Sequence, residues 1–559
     1  MAIRQMMRWI AFAGLAVIIA LGACNEGDDG NDGADSGQPS SAQICTGELG
    51  STYYVRPQGG DRSQCNGLAD ADYPGSGSGL DCAFNHPFIA LPPFGNPVLQ
   101  GGDRLIIAPG AYRMGLGAPG TEGCEEEGAF DCMMPPIPSG LSANQPTCIV
   151  GAGWDKGCPD PPELYGVERT WSILDLTGSR HVNVACLDLT DHEGCVEFHT
   201  GGLECNRDNP PYGDWAAVGI QAVDSSDVII QDVDIHGLAD MGIWAGRLHN
   251  WTLDNVLIAG NGWAGWDGDV YGEDGNTGTT LFRGVTVEWN GCVETWPGGE
   301  ITGCWAQTAG GYGDGLGTGD TGGDWVFEDC FFLNNTSDGL DLLYHRRGGN
   351  IVIDRVVAAG NAGNQIKTAG SAVVINSLII GNCGFFDNQP FTYDVDNCRA
   401  GGGALSFDYG QANTIDLVNS TIYSEGDVLI GCESCNGPVT LLSRNNIFVG
   451  DDDFLEPGDR SAILWTDCAN FTFDEDYGIF WGAKEGDYPC PIGPHDRCSD
   501  PLLTDIFANH PYGLQPRNGS PAIDSGLPVG ELGLIPEVDI LGRPRPSGSG
   551  VDRGAYEVQ

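Results

Sequence analysis

The residues best suited to chemistry lie in the middle of the chain, between Asn334 and Gly370. Asp338 and Asp341 stand three residues apart, and Lys367 follows an apolar stretch. Carboxylates brought close together repel each other unless a proton or a cation neutralises them. A lysine beside them forms an ion pair or, when neutral, accepts a proton from a bound molecule. Two interpretations stay open: a cation-assisted acid–base site, or a solvated acidic patch with a surface ion pair.

Short repeated segments are the elements that would position these residues. Each copy alternates apolar and polar residues and ends in Asn. The copies span 251–261, 281–290, 326–335, 351–361 and 373–382, with weaker copies at 227–237 and 441–450. Steps of 29, 45, 26 and 21 residues separate the terminal Asn residues, and the chain holds 87 Gly. This pattern predicts an all-β fold, a single-stranded right-handed parallel β-helix (β-solenoid) with three strands per coil.

The terminal Asn residues themselves are predicted to be scaffold. Asn tolerates a left-handed turn, and stacked Asn side chains can hydrogen-bond from coil to coil. The 45-residue step is then one coil plus a loop inserted at 291–312. Further Cys-rich loops are expected at roughly 116–165, 187–215 and 384–402.

Aligning the copies on their terminal Asn predicts which residues stack. Leu340 falls on Ile366, both pointing inward, which places Asp341 beneath Lys367. Asp338 then falls on Asn364.

The same alignment extends to two earlier coils. With Leu316 inward, Asp314 lies under Asp338, and with Trp266 inward, Asp267 joins the Asp341 column. Neighbouring coils are ~4.8 Å apart. Two carboxylates at that distance repel by ~3.5 kcal/mol at an effective dielectric near 20. Rigidly held carboxylates suit calcium, which prefers several oxygen ligands.

Two motifs resemble a known family. "SDGLDL" (337–342) followed by "GNAGNQIKTAG" (360–370) is similar to the active-site region of the polysaccharide lyase family 9 pectate lyases. The resemblance covers residues 312–370. It implies calcium as cofactor, an acidic polysaccharide as partner, and β-elimination of a uronate polymer.

Carried over by position, the resemblance implies calcium ligands at Asp314, Asp338 and Asp341, with Asp267 and Ser337 as further candidates, and Lys367 as the catalytic base. Ser337 stands where the family has an acid, and Thr368-Ala369-Gly370 replaces the usual residues after the lysine.

A basic cluster follows the second aspartate. His345, Arg346 and Arg347 stand together in an otherwise acidic chain, and we predict that they neutralise substrate carboxylates. A solvated loop is the competing interpretation.

Other functions stay open. A non-catalytic surface module, an adhesin or a glycan binder, could use the same scaffold. A polygalacturonase-like hydrolase is a third hypothesis, because an inverting enzyme needs two carboxyls ~6.5–9.5 Å apart and Asp314 with Asp341 could supply them. The loop 267–276 alternates acids and glycines, which suits either structural calcium or plain solvation.

The net charge of the chain argues against two classes of binding partner. Without Arg4 and Arg8 the chain carries 23 basic and 77 acidic residues, a net charge of −54. Such a surface repels nucleic acid and anionic membranes. The negative charge fits a solvated extracellular surface, calcium binding, or both.

The N-terminus predicts export and anchoring. Residues 1–23 combine a basic start with an apolar run too short to span a bilayer, which predicts a signal peptide. Leu21-Gly22-Ala23-Cys24 resembles the lipobox of bacterial lipoproteins, which implies lipidation of Cys24 and a surface or outer-membrane location. A membrane contact is expected through this lipid alone.

The remaining chain is assigned to two parts. Residues 24–50 form a Gly/Ser/Asp tether. Residues 51–559 form one β-helix domain, with an N-terminal cap at 51–115, a terminal segment at 515–559 and a monomeric state. Setting Cys24 aside leaves 20 cysteines, which in a secreted chain predicts up to ten disulfides. Cys432 and Cys435 could alternatively bind zinc or act in redox chemistry.

Overall fold

A computed structural model describes residues 44–47, 49–197, 204–206, 209–270, 275–305, 313–410, 413–530 and 535–558. The predicted signal peptide, Cys24 and most of the tether lie outside these residues. The strands in the described part, numbered in chain order, are β1 Thr52–Gly60, β2 Arg104–Ile107, β3 Ala111–Met114, β4 Thr147–Gly151, β5 Glu163–Gly166, β6 Thr170–Asp175, β7 Arg180–Thr190, β8 Ala216–Val223, β9 Ser226–His236, β10 Met241–Gly246, β11 His249–Asp254, β12 Leu257–Ala259, β13 Ala264–Asp267, β14 Thr277–Arg283, β15 Thr286–Glu288, β16 Cys292–Thr295, β17 Glu300–Trp305, β18 Leu316–Gly317, β19 Asp324–Glu328, β20 Phe331–Leu333, β21 Leu340–Leu342, β22 Asn350–Asp354, β23 Val357–Ala359, β24 Ile366–Ala369, β25 Ser371–Ile375, β26 Leu378–Gly381, β27 Thr392–Asp394, β28 Leu405–Asp408, β29 Thr414–Val418, β30 Thr421–Ser424, β31 Val428–Glu433, β32 Val439–Arg444, β33 Ile447–Gly450, β34 Ala462–Thr466, β35 Phe471–Asp476 and β36 Ile479–Trp481.

Helical structure in the described residues is short. One α-helix, α1, spans Pro87–Ala90, and 3₁₀ turns span Glu126–Asp131, Trp154–Lys156, Phe385–Asn388 and Arg399–Gly401. His86 caps α1 by accepting a hydrogen bond from the Phe88 backbone N–H.

The strands stack coil upon coil. Strands β19, β20 and β21 make one coil, and each pairs in parallel with its counterpart, β22, β23 or β24, in the next. The third strands of successive coils form a ten-stranded parallel sheet in the order β6-β8-β10-β13-β18-β21-β24-β28-β31-β34. The other two strand positions belong to a 23-stranded sheet. The predicted parallel β-helix with three strands per coil is therefore confirmed.

Inward side chains fill the coil with apolar and aromatic residues. Trp266, Phe282 and Trp325 are fully buried and contact one another. Along the ten-stranded sheet, Leu316, Leu340 and Ile366 occupy one inward column and are fully buried. Burial of this column fixes the register, because a slip by one residue would turn it to solvent.

A ladder of buried Asn side chains runs along one corner. Asn261 Nδ2 donates to Asn290 Oδ1 at 2.9 Å, Asn290 Nδ2 to Asn335 Oδ1 at 2.9 Å, and Asn335 Nδ2 to Asn361 Oδ1 at 2.8 Å. Asn361 Nδ2 then donates to Gln365 Oε1 at 2.9 Å, so Gln365 ends this run. The predicted ladder is confirmed from Asn261 to Asn361.

The predicted left-handed backbone lies elsewhere. The residue before each ladder Asn has the positive φ: Gly260 63°, Trp289 58°, Asn334 54° and Gly360 71°. The ladder Asn keeps ordinary backbone geometry because its task is to present its amide to the next coil.

The C-terminal segment packs outside the coil. Leu514, Ile540 and Tyr556 form an apolar cluster with Leu333 and Val357 on the outer side of strands β20 and β23. Within this segment the buried Arg545 guanidinium pairs with Glu557 at 3.1 Å. These contacts tie the chain end to the middle coils.

Nine disulfides form, of which the widest in sequence joins Cys45 to Cys148. The other two cysteines in the described residues, Cys330 and Cys432, are buried free thiols. Cys435 pairs with Cys468, so the Cys432–Cys435 motif neither closes a redox pair nor presents two thiolates to a metal.

Candidate active site

Four of the predicted site residues, Asp314, Asp338, Asp341 and Lys367, come together on the outer face of the ten-stranded sheet. Asp341 is the register partner of Lys367, and Leu340 that of Ile366, as the aligned repeats predicted. One coil earlier Leu316 pairs with Leu340, which places Asp314 next to Asp338. Adjacent parallel strands hold the carboxylates and the amine in fixed positions, so the cluster does not depend on a flexible loop.

Lys367 lies between two carboxylates. Its Nζ is 2.9 Å from Asp338 Oδ2 and 2.9 Å from Asp341 Oδ2. Its side chain is 16% exposed, against 4% for Asp338 and 13% for Asp341. Lys367 and Asp341 therefore reach solvent to a similar small extent, whereas Asp338 is buried.

Asp314 and Asp338 are held by further hydrogen bonds. The Asp338 backbone N–H donates to Asp314 Oδ1 at 3.0 Å. Asp338 Oδ1 accepts from the backbone N–H of Asn364 at 2.6 Å and from its Nδ2 at 3.1 Å. These bonds orient the carboxylate oxygens toward one another.

The three aspartates could share a cation. One oxygen from each of Asp314, Asp338 and Asp341 lies within 4.8 Å of the others, and this is the metal-competent group found among the described residues. Buried carboxylates are the ligand type that calcium prefers, and water or substrate oxygens would complete its six to eight ligands. The donor set therefore fits calcium.

The pKa values of the three aspartates are shifted in different directions. Burial raises the pKa of Asp314 well above its usual range, and the charges of Asp338 and Asp341 raise it further. Burial also raises the pKa of Asp341, although Lys367 opposes the shift. For Asp338, burial is outweighed by the charge and hydrogen bond of Lys367, so its pKa is lowered. Asp338 therefore stays ionised, whereas Asp314 makes no ion pair among the described residues and feels the Lys367 charge only weakly.

Lys367 is held as a cation. Burial alone would lower its pKa, but the charges of Asp338 and Asp341 and their hydrogen bonds raise it above the ordinary value. A lysine with a raised pKa is a poor base at neutral pH. A second cation on the carboxylates would lower that pKa by repulsion.

Ser337 occupies the position where an acid was expected. It is fully buried, hydrogen-bonds to Asp314, and accepts a hydrogen bond from Arg399 Nη1 at 2.7 Å. A carboxylate at position 337 would have added a negative charge to the cluster. With serine there, Arg399 adds a positive charge instead.

The structure separates the three predicted substrate-binding residues. His345 is buried, and its Nε2 donates to the Gly323 carbonyl at 2.7 Å, which leaves it no route to a polymer. Arg347 pairs with Asp320 at 2.8 Å. Arg346 pairs with Asp408 at 2.7 Å and stacks over the exposed Tyr344 ring at 5.0 Å. Of the three, Arg346 has the most exposed side chain, at 46%, against 36% for Arg347.

Asp267 lies in the same column, two coils before Asp341. Burial raises its pKa to about 7. It is outside the metal-competent group, so its predicted role as a ligand gains no support from the geometry. The loop 267–276 falls partly outside the described residues.

Sequence reasoning missed Arg399, Asn364 as a donor, and Asp408. Asn364 was aligned with Asp338 but given no role. Arg399 follows Cys398, whose disulfide to Cys383 closes the loop that carries it to the site. The cysteine pattern predicted such a loop but not what it would approach.

Comparisons with known proteins find matches among solved structures. No known family model matches the sequence, and neither does any curated protein sequence. Among solved structures, the pectate lyase Pel9A is similar over 93% of this chain and 100% of its own, at 15% identity and a TM-score of 0.44. A rhamnogalacturonan lyase matches over 76% and 87%, at 16% identity and 0.40. The complex of XylC with xylose matches over 91% and 98%, at 10% identity and 0.43. None of the helices in the described residues is long and apolar enough to cross a membrane.

Proposed function

We propose that this protein cleaves a uronate-containing polysaccharide by β-elimination, with Lys367 as the base and calcium held by Asp314, Asp338 and Asp341. The observation that carries the proposal is the contact of Lys367 Nζ with two of three buried carboxylates whose oxygens lie within 4.8 Å. A purely structural ion pair would need one carboxylate, and a third buried acid only adds repulsion.

The reaction follows from these groups. Unprotonated Lys367 Nζ takes the C5 hydrogen of a uronate as a proton. The electrons of that C–H bond form the C4–C5 double bond, and the C4–O bond breaks. The departing oxygen takes a proton from water, and the hydroxide that remains takes the proton back from Lys367. Calcium, when bound, would act as a Lewis acid on the sugar carboxylate and make the C5 proton more acidic.

Arg346 and Arg399 are proposed to assist binding. Arg346 is held on the same sheet by its pair with Asp408, and Arg399 is held at Ser337, next to Asp338 in the chain, by its hydrogen bond to the Ser337 hydroxyl. Because Arg399 Nη1 binds the neutral Ser337 hydroxyl, this guanidinium could also receive an isolated uronate carboxylate.

The nine disulfides are typical of an oxidising compartment. We propose that the protein is a monomer anchored outside the cytoplasm, at the cell surface or outer membrane, through a lipid on Cys24.

A non-catalytic glycan binder is the second candidate. It is favoured by the pairing of Lys367 with both aspartates, which keeps the amine protonated. An inverting hydrolase is disfavoured, because Asp314 and Asp341 oxygens lie within 4.8 Å, short of the ~6.5–9.5 Å between carboxyls that such enzymes need.

The test uses the mature protein with a panel of uronate polymers, in calcium or in a chelator. Elimination gives an unsaturated product that absorbs ultraviolet light, and Lys367→Ala should abolish it. Lys156→Ala, an exposed lysine in a distant loop, is the matched control. Reducing ends without absorbance would indicate a hydrolase, and retention without turnover a binding module.

A further inference from the structure

The outer face of the ten-stranded sheet carries one continuous column through the candidate site. Register pairs run from Trp244 to Asp267, Gly317, Asp341 and Lys367. They continue through Ser406 and Gly431 to Trp465. The column therefore begins and ends this span with tryptophan.

The two tryptophans lie on opposite sides of Lys367 along the column. Trp244 is four coils from Lys367, about 19 Å, and Trp465 is three coils away on the other side, about 14 Å. The Trp465 side chain is 51% exposed at the end of the sheet. An indole left in water on a sheet face is a site where an apolar surface can dock.

The Trp244 end is apolar on its outer face. The column that holds Asp314 continues backwards through Ala264 and Met241 to Val218. Partly exposed Trp171, Trp244 and Trp263 pack against a buried cluster that contains Val218 and Met241. These three tryptophans, together with Val218 and Met241, make the outer face apolar at this end of the sheet.

Cations beside the column are already engaged. Lys367 is held by two aspartates, and Arg346 by Asp408. The chain as a whole is strongly acidic. A polymer with a charge on every residue would be repelled along most of this face.

We propose that this column is the binding track for a polysaccharide made mainly of neutral pyranose residues with isolated uronates, and that Trp244 and Trp465 are aromatic platforms on either side of the reactive uronate. The apolar C–H faces of pyranose rings bury area against indole rings. The proposal rests on the proposed function for the position of the uronate and narrows its substrate class.

The test measures binding by calorimetry in Lys367→Ala protein, which prevents turnover. Glucuronoxylan, which is mostly neutral with isolated uronates, is compared with polygalacturonate of similar length, charged at every residue. Glucuronoxylan should bind at least tenfold more tightly, with little dependence on salt. Equal or tighter binding of polygalacturonate with a steep salt dependence would overturn the proposal.

The second part of the binding test uses variants of the two tryptophans. Trp465→Ala should weaken binding of glucuronoxylan roughly tenfold, as should Trp244→Ala. Trp481→Ala removes an indole of similar exposure, 47%, from the other sheet and should change nothing. Trp244→Phe keeps a ring and should restore most of the affinity, which separates stacking from misfolding. Unchanged affinity in Trp465→Ala would refute the track.

The two proposals fail differently. Unsaturated product from polygalacturonate, with no effect of either tryptophan, would leave the lyase and overturn the track. Tryptophan-dependent binding of glucuronoxylan, with no product from any polymer in the wild-type protein, would overturn the lyase and leave the track.

Discussion

Lys367 has two incompatible states, and the surrounding aspartates decide between them. As a cation it neutralises Asp338 and Asp341, which keeps its pKa raised. As a base it must give up that proton. Because the folded-state pKa lies above the ordinary value, the ion pairs stabilise the fold at neutral pH. That stabilisation is lost only as pH rises through the raised pKa.

The pH dependence of elimination should reflect this competition. We expect the rate to rise up to about tenfold per pH unit from neutral into the alkaline range, because the fraction of neutral Lys367 grows at that rate. Added calcium should shift the profile to lower pH by repelling the lysine proton. Initial rates at several pH values and calcium concentrations measure this. A profile flat above pH 7 and indifferent to calcium would rule out Lys367 as the base.

Lys367 pairs with Asp338 and Asp341, and Asp314 makes no ion pair among the described residues. Removing the Asp314 charge should therefore change the stability of the fold and the binding of calcium in opposite directions. In chelator, Asp314→Asn should raise the Tm by roughly 1–3 °C, because a buried carboxylate with a raised pKa destabilises the fold at neutral pH. Calcium should stabilise the wild type by mass action but not this variant.

The control for that measurement is Asp320→Asn, which removes an exposed acid paired with Arg347. It should leave both the Tm and the calcium effect unchanged. An equal calcium-induced rise in Tm for wild type and Asp314→Asn would show that the ion binds elsewhere.

At the scale of the element, the coil corner depends on paired amides. Asn335 donates to Asn361 and to the Val287 carbonyl at 3.2 Å, and accepts from the Asn290 backbone and side chain. Asn335 is fully buried, so each of these hydrogen bonds satisfies a polar group that has no access to water.

Asn335→Ala should therefore lower the free energy of unfolding by about 2–4 kcal/mol, because several buried partners lose their bonds. Guanidinium unfolding followed by circular dichroism measures the change. Asn518→Ala, at an exposed position, should lie within ~0.5 kcal/mol of wild type. A similarly small effect at Asn335 would mean that the ladder does not stabilise the coil.

At the scale of the whole molecule, nine disulfides leave two thiols inside the coil. Burial raises the pKa of the Cys330 thiol to about 12, and burial raises that of Cys432 as well. Thiol reagents attack the thiolate of exposed cysteines. Neither cysteine should react in the native protein.

A thiol count checks the pairing. Protein beginning after Cys24 should show no reactive thiol when native and two per chain after unfolding without reductant. Four thiols after unfolding would mean that one of the nine bonds does not form, and none would mean that Cys330 and Cys432 are blocked.

The sequence by itself determined the coil and its register. Repeated segments ending in Asn aligned Leu340 with Ile366, and since side chains alternate along a strand, that choice placed Asp341 beside Lys367 and Asp314 beside Asp338. Local periodicity is sufficient here because each coil contacts mainly its neighbours.

Tertiary structure alone decided what approaches the sheet from outside. Arg399 reaches Ser337 from a disulfide-closed loop, and Arg346 turns to Asp408 two coils along the sheet, while its neighbour His345 turns inward. These directions follow from loop packing between distant segments, which no repeat spacing encodes. For the same reason, only the structure shows that Trp244 and Trp465 stand in one column with Lys367 between them.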